Sequence, residues 1–176
     1  MFAACDLRTP LGKRDLALYL LMLRTGMHVR EAVGLRTADF DRRAGRLGIR
    51  FEGSAGGVFV PDAPRLRDAL DRWEDVRRWW DPEGSSPFYF ITAQRSPLRD
   101  ADVRRALARR ARRAGIARRV TPEMLRHSFA VELLRDGYTP HEIRDALRQP
   151  DLAATRAYLR LLSGGKQRLA RTAFFL

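Results

Sequence analysis

Two places in this 176-residue chain concentrate groups that can grip phosphate. One is Arg126, beside His127 in the stretch Thr121-Pro-Glu-Met-Leu-Arg-His-Ser-Phe-Ala130. The other runs from Arg104 to Arg113, where Arg104, Arg105, Arg109, Arg110, Arg112 and Arg113 fill most positions. A guanidinium offers a planar fork of N–H donors that fits a phosphate, and an ammonium does not. Only Lys13 and Lys166 are lysines among 34 basic residues, and against 21 acids the net charge is +13. That surplus favours a polyanionic partner, with nucleic acid as the default. A GC-rich genome would explain arginine in place of lysine but not the net excess. The arginine face itself suits phosphate contact and plain solvation equally well.

Other chemistries fall away. His28, His127 and His141 lack metal-ligand spacing, and no carboxylate cluster accompanies them. Gly53 to Gly57 lacks the following Lys-Ser/Thr of a nucleotide loop. A single cysteine, Cys5, excludes an internal disulfide and a cysteine-built zinc site, and suggests a reducing, cytoplasmic setting. No metal or cofactor is expected. The longest apolar run, Leu16 to Leu23, is far too short for a membrane span. No secretory leader is expected either, because charged and polar residues follow Cys5 at once.

The length predicts one domain with its own core. Residues 1–13 read as a lead-in. A helix is expected from Arg14 to Arg24, with Leu16, Tyr19, Leu20 and Leu23 on one face, broken at Thr25-Gly26. A short helix from Val29 to Leu35 follows. Leu47–Phe51 and Val58–Val60 predict a hairpin around the glycine-rich loop. Leu66, Leu70, Trp73, Val76 and Trp80 keep helical spacing, with the aromatics read as core. Phe88 to Ile91 reads as a short strand, and Asp102 to Ala114 as the arginine-faced helix capped by Gly115. Thr121-Pro122 and Thr139-Pro140 each open a helix, with threonine as N-cap and proline in the first turn. A last helix is expected over Leu152 to Leu162, then an apolar-ended tail, residues 163–176. The fold class is thus mainly α with a small antiparallel β-hairpin sheet.

With Thr155-Arg-Ala-Tyr158 downstream, the Thr121–Ala130 stretch resembles the second half of the tyrosine recombinase (phage integrase) catalytic domain. Leu23-Arg-Thr-Gly-Met-His-Val-Arg-Glu-Ala-Val-Gly-Leu35 is similar to the family's first box, Thr-Gly-[Leu/Met]-Arg-x-x-Glu-Leu. The resemblance covers about residues 10 to 162 and implies the fold of that catalytic domain, placed at residues 14–162. The family's core-binding domain is expected to be missing from this stretch. The implied chemistry is attack of a tyrosine oxygen on a DNA phosphate, with positive donors converging on the phosphorane and a proton supplied to the leaving oxygen.

By that resemblance Tyr158 is the nucleophile and Arg126 the second catalytic arginine. A phenol of ordinary pKa about 10 is mostly protonated at neutral pH and needs an electropositive pocket. The other positions depart from the family. His28 stands where the first arginine belongs and cannot make its forked contact. Arg30, two residues on, points about 200° away. Glu123 replaces a histidine donor with a carboxylate, which suits a helix first turn and is expected to tie up Arg126. Gln149 takes the third donor position. The hairpin lysine is missing, and Arg50 cannot act as a proton donor in its place. Arg30, Arg50, Arg104, Arg105, Arg109, Arg112 and His127 are the expected DNA contacts.

The sequence thus reads as a DNA-binding recombinase or integrase-like domain of mobile-element origin, with weakened or lost cleavage. Alternatives are a regulator reading DNA through the His141–Leu162 helix pair, a competent recombinase with substitute donors, and an accessory subunit. The tail is expected to dock in an apolar groove of its own chain, of a second copy or of a partner recombinase. Affinity for duplex DNA should fall steeply with salt, because each phosphate contact releases condensed counterions. Titrating a labelled duplex at rising ionic strength checks this, and salt-independent affinity would exclude nucleic-acid binding.

Overall fold

The computed structural model describes residues 2–41, 47–50, 58–60 and 63–152, with backbone only at 58–60. Its elements are α1 (Pro10–Thr25), α2 (Val29–Gly34), β1 (Phe40–Asp41), β2 (Leu47–Ile49), β3 (Val58–Val60), α3 (Pro64–Trp80), α4 (Asp100–Arg113), α5 (Pro122–Arg135) and α6 (Pro140–Ala146). The mainly helical expectation holds.

Helix α1 starts four residues before the expected Arg14. Thr9 caps it by accepting from the Gly12 N–H, and Pro10 occupies the first turn. Its Ala17, Leu18, Tyr19, Leu21 and Met22 are fully buried, and it packs chiefly against α3 and α5. Helix α3 presents Leu66, Leu70, Trp73 and Val76 to this core, so Trp73 is core as expected, while Trp79 is 73% exposed.

The sheet has three antiparallel strands in the order β1-β2-β3. Leu47 faces Val60 and Ile49 faces Val58, the expected hairpin, while Phe40 faces Ile49 in a strand that was not expected. Phe40 stacks on Tyr89 at 3.9 Å, which joins the sheet to the core. Phe88–Ile91 is not a strand of this sheet. Phe88 makes a single bridge to Arg36 and Ile91 one to Pro97. Arg77 pins the segment by donating to the Ser86 and Phe88 carbonyls.

A charged trio lies inside the core. Asp15 accepts from Arg14 at 2.8 Å through one carboxylate oxygen and from Arg110 at 2.6 Å through the other. All three side chains are at least nine-tenths buried. Arg14 also donates to the Ile91 carbonyl, and Arg110 to those of Ala4 and Leu11. The trio therefore fastens α1 to α4, to the first residues and to the 88–91 segment. It also takes Arg110 out of the arginine face read from sequence.

A second, smaller cluster of Ala130, Ile143 and Leu147, flanked by Phe129, Leu133 and Leu134, joins α5 to α6. Gly26 seals its joint with α1. Its φ is +61°, and a Cβ there would lie 2.4 Å from the Phe129 ring.

Asp15→Ala should cost about 3–5 kcal/mol in urea unfolding, because it strands two buried guanidiniums. Arg8→Ala, which breaks an exposed pair with Asp6, should leave the midpoint unmoved.

Candidate phosphate-binding site

The site is built where the C-terminal ends of α1 and α6 meet the first turns of α5 and α2. Arg126 projects from α5 into this junction and is 5% exposed. It donates to the Gly26 carbonyl and to the Leu147 carbonyl, both at 2.5 Å. Gly26 and Leu147 are the C-caps of α1 and α6. The last carbonyls of a helix carry partial negative charge, so two helix ends converge on one cation.

His28 is the N-cap of α2, two residues after Gly26. Partial burial, then the positive charge of Arg126, lowers its pKa below the ordinary imidazole range. At neutral pH it is therefore an uncharged imidazole. The charges of Glu31, Arg148 and Glu123 also reach it.

Glu123 does not behave as expected. Its carboxylate is held by Arg104 of α4, at 2.6 and 2.9 Å. The i,i+3 spacing favoured Arg126, but Arg126 turns inward to the helix ends while Glu123 faces α4. The bonds from Arg104 draw the Glu123 pKa down to about 2, against opposing burial. Arg104 also donates to Asp100 at 2.5 Å, so its guanidinium is spread over two carboxylates.

Glu31 and Arg148 were given no role from sequence. Arg148 donates to Glu31 through Nε at 3.2 Å and Nη2 at 3.1 Å, and Glu31 also accepts the backbone N–H of His28 at 2.5 Å. Burial pushes the Glu31 pKa up, but these bonds outweigh it and the net shift is downward. The His28-x-x-Glu31 spacing of a capping box was the available signal. Nothing local announced Arg148.

The remaining positions scatter. Gln149 follows Arg148 and its N–H donates to the Arg144 carbonyl. His127 is exposed on α5 beside Arg126. Arg30 is exposed on α2, and Arg50, after β2, donates to the Ala38 carbonyl at 2.5 Å. Arg105 pairs with Asp102, while Arg109, Arg112 and Arg113 are exposed along the end of α4. Tyr158, the Gly53–Gly57 loop, the last expected helix and the tail with Lys166 lie outside the described residues. Among the described residues no His, Cys, Asp and Glu cluster could hold a metal ion, and no helix is long and apolar enough to cross a membrane.

The model of the phage integrase family matches residues 1–163. Tyrosine recombinase XerC of Bacillus pumilus is 30% identical over 162 residues, covering 90% of this chain and 53% of the relative. Tyrosine recombinase XerD of Lacticaseibacillus casei is also 30% identical, covering 92% of this chain and 55% of the relative. Among solved structures, the XerH site-specific recombinase in a post-cleavage complex with a palindromic difH substrate superposes with a TM-score of 0.78 at 25% identity. That match covers 99% of this chain and 50% of the other. The chain spans about half the length of the relatives it matches.

A depressed carboxylate pKa contributes stability that is full above its unfolded value and is lost as pH falls through the folded one. The Glu123 contribution should therefore disappear between pH about 4.5 and about 2. Thermal unfolding of Glu123→Gln should depend less on pH across this window than that of the wild type. Glu31 and Asp81, also lowered, keep part of the slope. An unchanged slope would dismiss the Arg104 pairing.

Proposed function

As the chain belongs to the phage integrase family, we propose that it is the catalytic-type domain of a site-specific DNA recombinase of mobile-element origin, with impaired strand cleavage. The convergence of three distant stretches carries the reading. The Gly26 carbonyl, two residues before His28, and the Leu147 carbonyl, two residues before Gln149, are joined by the one buried guanidinium of Arg126. By the family resemblance Arg126 binds the scissile phosphate, Tyr158 attacks it, and Gln149 donates one hydrogen bond to a phosphate oxygen. Double-stranded DNA is the proposed partner, and the exposed arginines of α4 suit its backbone phosphates.

Three features support impairment. A neutral His28 cannot supply the fork or the charge of an arginine. Glu123 offers a carboxylate whose lowered pKa keeps it ionised, so it accepts and repels where a donor is needed. Glu52 to Gly57 contains no lysine to protonate the leaving oxygen. Each lost donor of this kind costs roughly two to three orders of magnitude in rate, and such losses do not simply add.

The test is a nicked suicide duplex scored for covalent protein–DNA adduct. Wild type should give little or none. His28→Arg, Glu123→His and Gly53→Lys combined should restore adduct, and Tyr158→Phe in that background should abolish it. Robust Tyr158-dependent adduct from wild type would instead establish a competent recombinase with substitute donors.

A further inference from the structure

The described helices end in different ways, and the end of α6 is the costly one. Helices α4 and α5 close with Gly115 (φ +73°) and Gly137 (φ +88°). In both, the following N–H reaches back to a carbonyl of the last turn, Ile116 to Ala111 and Tyr138 to Leu133. Helix α6 makes the same turn, with Gln149 N–H on the Arg144 carbonyl and Arg148 N–H on that of Asp145. Its left-handed position is held by Arg148, at φ +55°. A side chain there costs about 1–2 kcal/mol that glycine would not, and such strain persists where the surroundings fix it.

What fixes it is the guanidinium. Arg148 is 18% exposed, with Nε and Nη2 on Glu31 and Nη1 on the Ala146 carbonyl. The same Glu31 oxygen that accepts from Nη2 accepts the His28 N–H, so Arg148 and His28 share one anchor. The Leu147 carbonyl, one residue away, is held by Arg126. A second guanidinium is thus delivered, oriented and part-buried, to the rim where His28 lacks one.

We propose that Arg148 is a further phosphate-binding residue of this site, carrying the positive charge absent at His28. It rests on the phosphate-site reading above. Glu31 acts as the positioning residue. It holds the plane of the guanidinium and, at rest, offsets its charge, and an arriving phosphate dianion draws on Arg148 and Arg126 together.

Orthophosphate titration of the 15N-labelled full chain, followed by NMR at the arginine Nε–H and histidine ring signals, tests this. In wild type the Arg148 and Arg126 Nε–H signals should move and the His28 pKa should rise. Arg148→Gln should weaken orthophosphate about tenfold or more, as expected for charge-assisted hydrogen bonds, and Arg148→Lys less so. Arg148→Gly relieves the left-handed backbone, so it should keep the thermal midpoint and still lose affinity. If Arg148→Gln does not fold, the Gly and Lys variants carry the comparison. Glu31→Gln removes the counter-charge and should tighten orthophosphate, whereas a purely structural tie would loosen it. Full affinity in the Arg148 variants with weakening in Arg126→Gln would overturn the role of Arg148 and leave the site standing. No orthophosphate response in wild type would overturn both.

Discussion

The arrangement turns on one buried guanidinium satisfied by two helix ends. Arg126 supplies that guanidinium from α5. It is held by the C-cap carbonyls of α1 and α6, groups that have no intrahelical partner and carry the negative ends of two helix dipoles. The bond to Gly26 requires close approach of α5 to α1, and only a residue without a side chain allows it, since Phe129 and Leu147 fill the space a Cβ would take. The bond to Leu147 requires α6 to dock, which sets the positions of Arg148 and Gln149. The approach of the His28 turn to Arg148 and Gln149 therefore depends on the same guanidinium.

Around this cation the charges nearly cancel. Glu123 is matched by Arg104 and Glu31 by Arg148, and His28 is neutral at physiological pH. Exposed Arg109, Arg112 and Arg113 of α4 add positive charge outside this group. On the proposed reading, attraction to a polyanion and stabilisation of a reacting phosphate fall to different residues. Surface arginines raise association through long-range, salt-screened forces. A transition state needs oriented donors within hydrogen-bonding distance. A chain of this kind can keep the first property while the second declines.

Local chemistry made much of the fold legible. Thr121-Pro122 and Thr139-Pro140 opened α5 and α6 where expected, and the two short apolar runs marked the antiparallel pairing of β2 with β3. The errors share a cause, since in each a distant partner decided the outcome. Thr9-Pro10 carries the same opening signal but lay in a segment read as a lead-in. It is drawn into the fold by Arg110, which donates to the Ala4 and Leu11 carbonyls. Phe88–Ile91 has strand-like residues because Tyr89, Phe90 and Ile91 are all buried, yet its backbone bonds go to loops and to the Trp73 and Arg77 side chains of α3. Arg110 looked like one more arginine of an exposed face, but its partner Asp15 is 95 residues away in sequence. Glu123 had an arginine one turn along its own helix and took another, 19 residues back.

The site also inherits its mechanical character from where it sits. The main core gathers α1, α2, α3 and α4 around fully buried Trp73, Tyr19 and Phe90. Among the described residues, helix α6 packs instead on a separate cluster of Ala130, Ile143 and Leu147, flanked by Phe129, Leu133 and Leu134. Segments with few buried apolar contacts open at lower free energy than the global transition. Lifting α6 would break the Leu147 bond of Arg126 and the Glu31 bond of Arg148 together, carrying Arg148 out of the junction and taking away one of the carbonyls that hold Arg126. The polar contacts at the end of α6 therefore do two jobs with the same atoms: they fasten a helix that packs outside the main core, and they set the charge of the site. Binding of an anion at the junction would stabilise the docked helix, and docking would assemble the anion site, so the two equilibria are linked by necessity.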